Sequence, residues 1–366
     1  MSNRQQSVLV LPGDGIGHEV MPPALAAIHA ACQRTGATPP LFEEASAGAA
    51  LYRDTGEDLP QTVVDKARNA DAILLGAMGL PDIRYPDGTE ITPQITLRFE
   101  LDLYAGVRPI RVLPGLPNVL ADPRAQSIDF VLVRESTEGL FASLGKGSVE
   151  GDHTAKDTMV ITRAGSERLF KFTAELAKRR KARGKAGRVT CIDKANVFKS
   201  FAFFRKVFDD CMVNYPDLTK DYAYVDAAAL KLVSQPWAFD VMVTENMFGD
   251  ILSDLTAALV GGMGMAPSAD IGDEHAVFQP AHGSAPDIVG KGIANPTATI
   301  LSAAMMLDWL GLRSDDPALA QAGALIDKAV DEAFATGRLV PTEMGGSATT
   351  QEISDAVLAG LEKVAL

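Results

Sequence analysis

The chain has 366 residues, 47% of them hydrophobic and 22% charged, a composition that suits a globular protein long enough for two lobes or two domains. Its net charge of −13 excludes nucleic acid and anionic membrane surfaces as partners, since both need concentrated Lys and Arg. Its three cysteines (Cys32, Cys191 and Cys211) form no C-x-x-C pair, which speaks against a cysteine metal site and suits a reducing compartment.

The N-terminal "MSNRQQSVLVLP" reaches proline too soon for a leader peptide, and no apolar stretch approaches the ~20 residues that span a bilayer. A cytoplasmic protein is expected. "VLVLPGDGIGHEV" (Val8 to Val20) carries an apolar strand into Gly13, Gly15 and Gly17. A Gly-x-Gly-x-x-Gly dinucleotide loop would need its third glycine at His18 or Val20, so this is not that fingerprint. "HEVMPPALAAIHAACQRTG" predicts a helix ending at Gly36, with Pro22 and Pro23 tolerated near its start. "PLFEEAS" predicts a second strand, "LPQTVVDKARNA" a short helix and "DAILLGAMG" a third, buried strand. Such alternation implies a mostly parallel sheet covered on both faces.

A polar loop from Leu80 to Gln94 follows, and "ITLRFELDLYAGVRPIRVLPG" reads as helix into strand. "IDFVLVRESTEGLF" is a buried strand ending in charges. The basic run from Lys178 to Arg188 reads as a solvated helix end whose cations suit the C-terminal dipole. "RVTCIDKANVF" is another apolar strand with charges at its end, "DYAYVDAAALKLV" places Asp226 at a strand-to-helix junction, and "FDVMVTENMFGDILSDLTAALVGGMGMAP" reads as strand, turn, helix and glycine-rich stop. A loop, "PAHGSAPDIVGKGIANPTA", precedes three C-terminal helices. Ligands in open α/β sheets gather beyond the carboxyl ends of the strands. Arg134, Glu135, Asp193, Lys194, Asp226, Glu245 and Asn246 all fall there.

Four groups of residues carry candidate chemistry. Asp250 and Asp254 are four apart, so a helix stacks them on one face, where two like charges need compensation. A divalent cation with oxygen ligands, Mg²⁺ or Mn²⁺, is one answer, with Asp226 as a third carboxylate; favourable placement at a helix N-terminus is the other. Arg98, Arg108 and Arg134 could clamp a substrate with more than one carboxylate, or be surface arginines paired with acids. Lys194 is either a proton-transfer group or the salt-bridge partner of Asp193. "HGSAPD" (His282 to Asp287) is either a tight loop that lets backbone approach a ligand, with Asp287 accepting from ribose hydroxyls, or an ordinary turn.

Taken in order, "LPGDGIGHEV", "LRFELDLYAGVRP", "VRESTEGLF", "DKANVF", "YVDAAAL", "ENMFGDILSDL" and "HGSAPDIVGKGIANP" resemble the metal-dependent β-decarboxylating dehydrogenases, which act on isopropylmalate, isocitrate, homoisocitrate, tartrate or D-malate. The resemblance covers nearly the whole chain. It implies a two-lobed α/β fold around one long mixed, mostly parallel sheet, not a Rossmann fold. The large, cofactor-side lobe would be discontinuous (1–104 and 261–366), with 105–260 as the small lobe carrying metal, substrate and dimer contacts. A homodimer would be the smallest competent unit. Arg98, Arg108 and Arg134 would hold the malate moiety, and Asp250 and Asp254 the metal, with Asp226 and Lys194 reaching in from the partner. His282, Gly283, Ser284, Ala285, Pro286, Asp287, Ile288 and Asn295 would hold the adenosine half of the cofactor, with Ile16 in the turn lining the cofactor cleft. Asp287 implies NAD, since NADP-preferring relatives carry Lys then Tyr at the positions of Asp287 and Ile288. The implied reaction is oxidation of a 2-hydroxyl by hydride transfer to NAD with Mg²⁺ or Mn²⁺, then loss of CO₂ from the β carbon. Lys194, through water or Asp226, would take the hydroxyl proton.

Two positions depart from the family's pattern. Most relatives carry a tyrosine that helps protonate the product where this chain has Phe141. Leucine-pathway members place apolar residues before the first clamp arginine, whereas Thr92 and Gln94 stand there here, with Ile91 and Ile95 beside them. Thr92 and Gln94 imply a polar 3-substituent, as in tartrate-, D-malate- or isocitrate-like acids, because buried polar sites select strongly for polar partners. The alternatives are 3-isopropylmalate as substrate, a non-catalytic regulatory paralogue, and a metal-binding isomerase or lyase. A regulatory paralogue usually loses a clamp or ligand residue, and all are present here.

Overall fold

The computed structural model describes residues 4–366; residues 1–3, the start of the N-terminal stretch read above, lie outside the described residues. In chain order the elements are β1 (Ser7–Gly13), α1 (Gly17–Thr35), β2 (Leu41–Glu44), α2 (Ala49–Thr55), α3 (Gln61–Asn69), β3 (Ala72–Ala77), α4 (Pro93–Glu100), β4 (Ala105–Arg111) and β5 (Asp129–Glu135). A small hairpin, β6 (Ser148–Glu150) and β7 (Thr154–Lys156), precedes α5 (Arg163–Ala182), β8 (Arg188–Asp193), α6 (Lys199–Met212), β9 (Thr219–Tyr224), α7 (Val225–Ser234), β10 (Val241–Thr244) and α8 (Asn246–Ala258). The chain closes with β11 (Pro267–Ile271), β12 (Ala276–Pro280), α9 (Thr297–Ser314), α10 (Pro317–Phe334) and α11 (Thr350–Lys363).

All strands but the hairpin join one ten-stranded sheet in the order β2-β1-β3-β12-β11-β4-β5-β10-β8-β9. The strands β2, β1, β3 and β12 run parallel to one another, as do β5, β10, β8 and β9. The pair β11 and β4 is antiparallel to its neighbours on both sides, so the two parallel blocks point in opposite directions. Strands covered on both faces read as unbroken apolar runs: every residue of β3 and β10 is buried. The predicted strands β1, β3, β5, β8 and β10 are all present, and α1 stops at Gly36 in the left-handed conformation. The basic run does end a helix, but Arg180 is not solvated: it is largely buried between Asp240 (2.7 Å) and Asp129 (3.1 Å).

The turn after β1 is held by Asp14, which is 1% exposed. Its carboxylate accepts from the backbone N–H groups of Ala49, Ala50 and Gly79, each at 2.8 Å, and so ties this turn to the start of α2 and the loop after β3. Asp14→Ala leaves these donors without their charged acceptor. It should lower unfolding free energy on the order of 3 kcal/mol, read from the urea midpoint; a loss under ~0.5 kcal/mol would show that the turn holds without it.

Candidate active site

A cleft opens where the sheet reverses strand direction. Its walls come from the end of β3 (Leu75 to Met78), from β12 and the residues after it (Gln279 to Gly283), from Ser268 on β11, and from α4, β4, β5 and α8. Arg98 from the last turn of α4, Arg108 from mid-β4 and Arg134 from the end of β5 converge here, at 6%, 7% and 4% exposure. They are buried cations, not surface arginines. Burial, reinforced by the Arg98 charge, pulls Arg134 down to about 10, and burial also lowers Arg108. Arg134 donates twice to Asn246 Oδ1 (2.9 and 2.6 Å), pairs with Asp250 and lies 5.1 Å over the Phe141 ring.

Glu245, not an aspartate, caps α8, accepting from Met247 and Phe248 N–H (3.1 and 2.7 Å). No acid lies in the first turn of α8, so the helix dipole does not account for Asp250 and Asp254. Both line the cleft. Burial and the nearby Asp250 charge push Asp254 above the ordinary carboxylate value. Two hard oxygen donors one turn apart fit Mg²⁺ or Mn²⁺.

Asp226 lies elsewhere, exposed in the first turn of α7, with Lys194 Nζ 2.8 Å from its Oδ1. Neither residue lines the cleft of its own chain, and the described residues of one chain bring no three His, Cys, Asp or Glu together as a metal group. The pairing of Lys194 with Asp193 does not form. Asp193 is fully buried, taking Arg205 in two 2.7 Å hydrogen bonds and capping Ala195 N–H at 2.8 Å. Glu135 is likewise occupied, accepting from Thr137 and Glu138 backbone.

The loop after β12 is not an ordinary surface turn. Ser284 carbonyl accepts Ile16 N–H at 2.9 Å, and a Cβ on Gly15 would sit 2.1 Å from that carbonyl oxygen, so glycine permits the two loops to touch. Ala285 has φ 38°, and with Ile288 it packs on Ile16, Val20 and Ala294. Ile16 is therefore buried, with its N–H already used. His282 and Gly283 line the cleft, and burial lowers the His282 pKa. His282 Nε2 is buried without a partner, and Pro286 and Asp287 are exposed. These open groups beside a glycine-lined approach fit a nucleotide cofactor. Asn295 is more removed: its amide serves Glu343 (2.7 Å) and Thr297 (2.6 Å) at the start of α9.

Of the two loop positions, Gln94 reaches the cleft wall and Thr92 does not; Thr92 sits at the N-cap of α4, one helical residue outside. Gln94 Oε1 is buried without a partner, as is Ser268 Oγ. Sequence reading missed Ser268, Asp270 and Gln279, because β11 and β12 were not read as strands. The available signal was a lone acid within the buried run "PSADI".

The isocitrate/isopropylmalate dehydrogenase family profile matches residues 7–357. The chain is 43% identical to the 3-isopropylmalate/3-methylmalate dehydrogenase of Methanocaldococcus jannaschii, over 96% of this chain and 97% of that protein. It is 38% identical to the decarboxylating D-malate dehydrogenase of Escherichia coli, again over 96% and 97%. Among solved structures, isocitrate dehydrogenase from Methylococcus capsulatus superposes with a TM-score of 0.82 at 35% identity, covering 98% of this chain and 100% of that one.

Proposed function

The chain belongs to the isocitrate/isopropylmalate dehydrogenase family of oxidoreductases, and we propose that it uses NAD and Mg²⁺ or Mn²⁺ to oxidise and β-decarboxylate a malate-type 2-hydroxy acid with a polar rather than an isopropyl 3-substituent. The observation that carries this reading is the convergence of three buried arginines on the cleft that Asp250 and Asp254 also line. Arg98, Arg108 and Arg134 bind and orient the substrate carboxylates. Asp250 and Asp254, with Asp226 of the partner subunit, hold the cation, and Lys194 of the partner subunit moves the hydroxyl proton. A bound cation supplies Lewis acidity at the substrate oxygen, and NAD supplies the hydride acceptor. His282 to Ile288 hold NAD, with Asp287 accepting from ribose hydroxyls; Ile16 and Asn295 shape that loop from behind.

Exposed apolar side chains close in the chain to Lys194, Asp226 and Asp250 support a second copy in this arrangement: Val197 and Phe198 before α6, Leu230 and Val233 on α7 and Ile251 on α8. A homodimer that buries them joins two complementary half-sites. The strands along the sheet support lobes of 1–104 with 261–366 against 105–260. No helix among the described residues is long and apolar enough to cross a membrane, and the three cysteines are buried and free, which fits a cytoplasmic setting.

Gln94 Oε1 and Ser268 Oγ support the polar substituent, since each lacks a partner in the cleft wall. Ile95, Met78 and Phe141 favour the other reading, 3-isopropylmalate, which the first relative's name also carries. Initial rates of NADH formation on D-malate, tartrate, isocitrate and 3-isopropylmalate decide: the best kcat/KM on isopropylmalate overturns the polar reading. Any metal-dependent NADH formation also rules out a regulatory paralogue. At Phe141 the chain has no transferable proton, so Phe141→Tyr should raise kcat by about tenfold. An unchanged kcat would place the proton donor elsewhere.

A further inference from the structure

The most unusual feature of the clamp lies behind it. Asp270 on β11 is 2% exposed, and its Oδ2 accepts from Arg98 Nη2 at 3.2 Å and from Gln279 Nε2 at 2.9 Å. Its Oδ1 faces Arg108 Nη2 at 3.6 Å and accepts no hydrogen bond. One carboxylate thus sets the relative position of two guanidiniums and offsets one of three buried positive charges. Burial opposes its ionisation, but Arg98, Arg108 and Arg134 together outweigh burial and hold its pKa below the ordinary value. Gln279 is itself a cleft residue and bridges Asp270 to the open space.

We propose that Asp270 sets the charge selectivity of the cleft: it offsets one of the three arginine charges that face the substrate, so dicarboxylates with an uncharged or hydroxyl-bearing C3 are favoured over tricarboxylates. This rests on the substrate reading above and narrows it by disfavouring isocitrate-like acids. A third carboxylate enters a low-dielectric pocket in which Asp270 already opposes the charge of Arg98 and Arg108, and it remains under-compensated. Asp270 is a positioning residue, because it acts through Arg98 and Arg108.

The test compares kcat/KM for D-malate and isocitrate, with Mn²⁺ and NAD, in the wild-type dimer and in Asp270→Asn. We expect the wild type to favour the dicarboxylate, and Asp270→Asn to shift the ratio towards isocitrate by about tenfold or more, mainly through KM. In the double variant Asp270→Asn with Gln279→Glu the anion moves one side chain over, and the ratio should return towards the wild-type value. Protection against thermal unfolding by tricarballylate relative to succinate should move in the same direction, without turnover. If Asp270→Asn does not fold, Gln279→Glu alone should disfavour the tricarboxylate further. The proposal is overturned by a wild-type preference for isocitrate. It is also overturned by equal loss on both acids, or by ligand protection that ignores the substitutions. A wild type that forms no NADH from any of these acids overturns the substrate reading itself, while the protection measurements still report on the charge of the clamp.

Discussion

Asp250→Asn and Asp254→Asn will each lower kcat/KM by about a thousandfold and raise the Mn²⁺ concentration needed for half-maximal rate. The two carboxylates lie one turn apart on α8, beyond the reach of the helix dipole, and Asp254 is pushed upward by burial and by the Asp250 charge. A divalent cation held by both carboxylates would offset their repulsion. Asparagine keeps the shape and removes the anionic donor, so the loss falls on cation binding and on charge stabilisation in the transition state, worth several kcal/mol or about three decades. Asp250 also pairs with Arg134. The contribution of that pair is separated by titrating the metal: a variant whose half-maximal Mn²⁺ concentration stays at the wild-type value lost only the arginine contact. If both variants keep the wild-type Mn²⁺ affinity, α8 does not carry the metal.

Lys194→Met will be nearly inactive alone, by about a thousandfold, the scale of a lost proton-transfer group. Mixed with Asp250→Asn, it will regain activity. Lys194 and Asp226 do not line the cleft of their own chain. In the proposed homodimer, a mixed pair would have one of its two clefts receive an intact Lys194 across an intact Asp250. Random exchange makes half the dimers mixed, each with one working site, so recovery should approach about a quarter of wild type. Co-expression with two affinity tags, followed by tandem purification, isolates the mixed dimer for assay. A purified mixed dimer as inactive as either parent would place the whole site within one chain.

Much of the architecture was legible because parallel strands buried on both faces are written as continuous apolar runs. "VLVL", "AILLGA", "FVLV" and "VMVT" announced β1, β3, β5 and β10, and the charge closing "FVLV" marked Arg134 as more than surface. The antiparallel pair β11 and β12 carries Asp270 and Gln279 in the middle of the sheet, and those residues blurred its apolar signal. Asp270 meets Arg98 across 172 residues of chain, a contact that no local pattern encodes. Lys194 was equally deceptive. Its chain neighbour Asp193 looked like its partner, but β8 and β9 run side by side with Asp193 opposite Tyr224. That register puts Asp226 just past the adjacent strand end, within reach of Lys194, while Asp193 turns inward to Arg205. Thr92 and Gln94 stand two positions apart at the start of α4, where one helical turn faces two environments, and only Gln94 reaches the cleft. The glycine turn after β1 is not a dinucleotide fingerprint. Its glycines serve close packing, with Gly15 against Ser284.

The most direct test follows NADH and CO₂ together, in one vessel, from the purified protein with NAD, Mn²⁺ and D-malate or tartrate. The two products should appear in equal amounts, a chelator should stop both, and added Mn²⁺ should restore both. NADH without CO₂, or turnover that ignores the chelator, would contradict the proposed reaction.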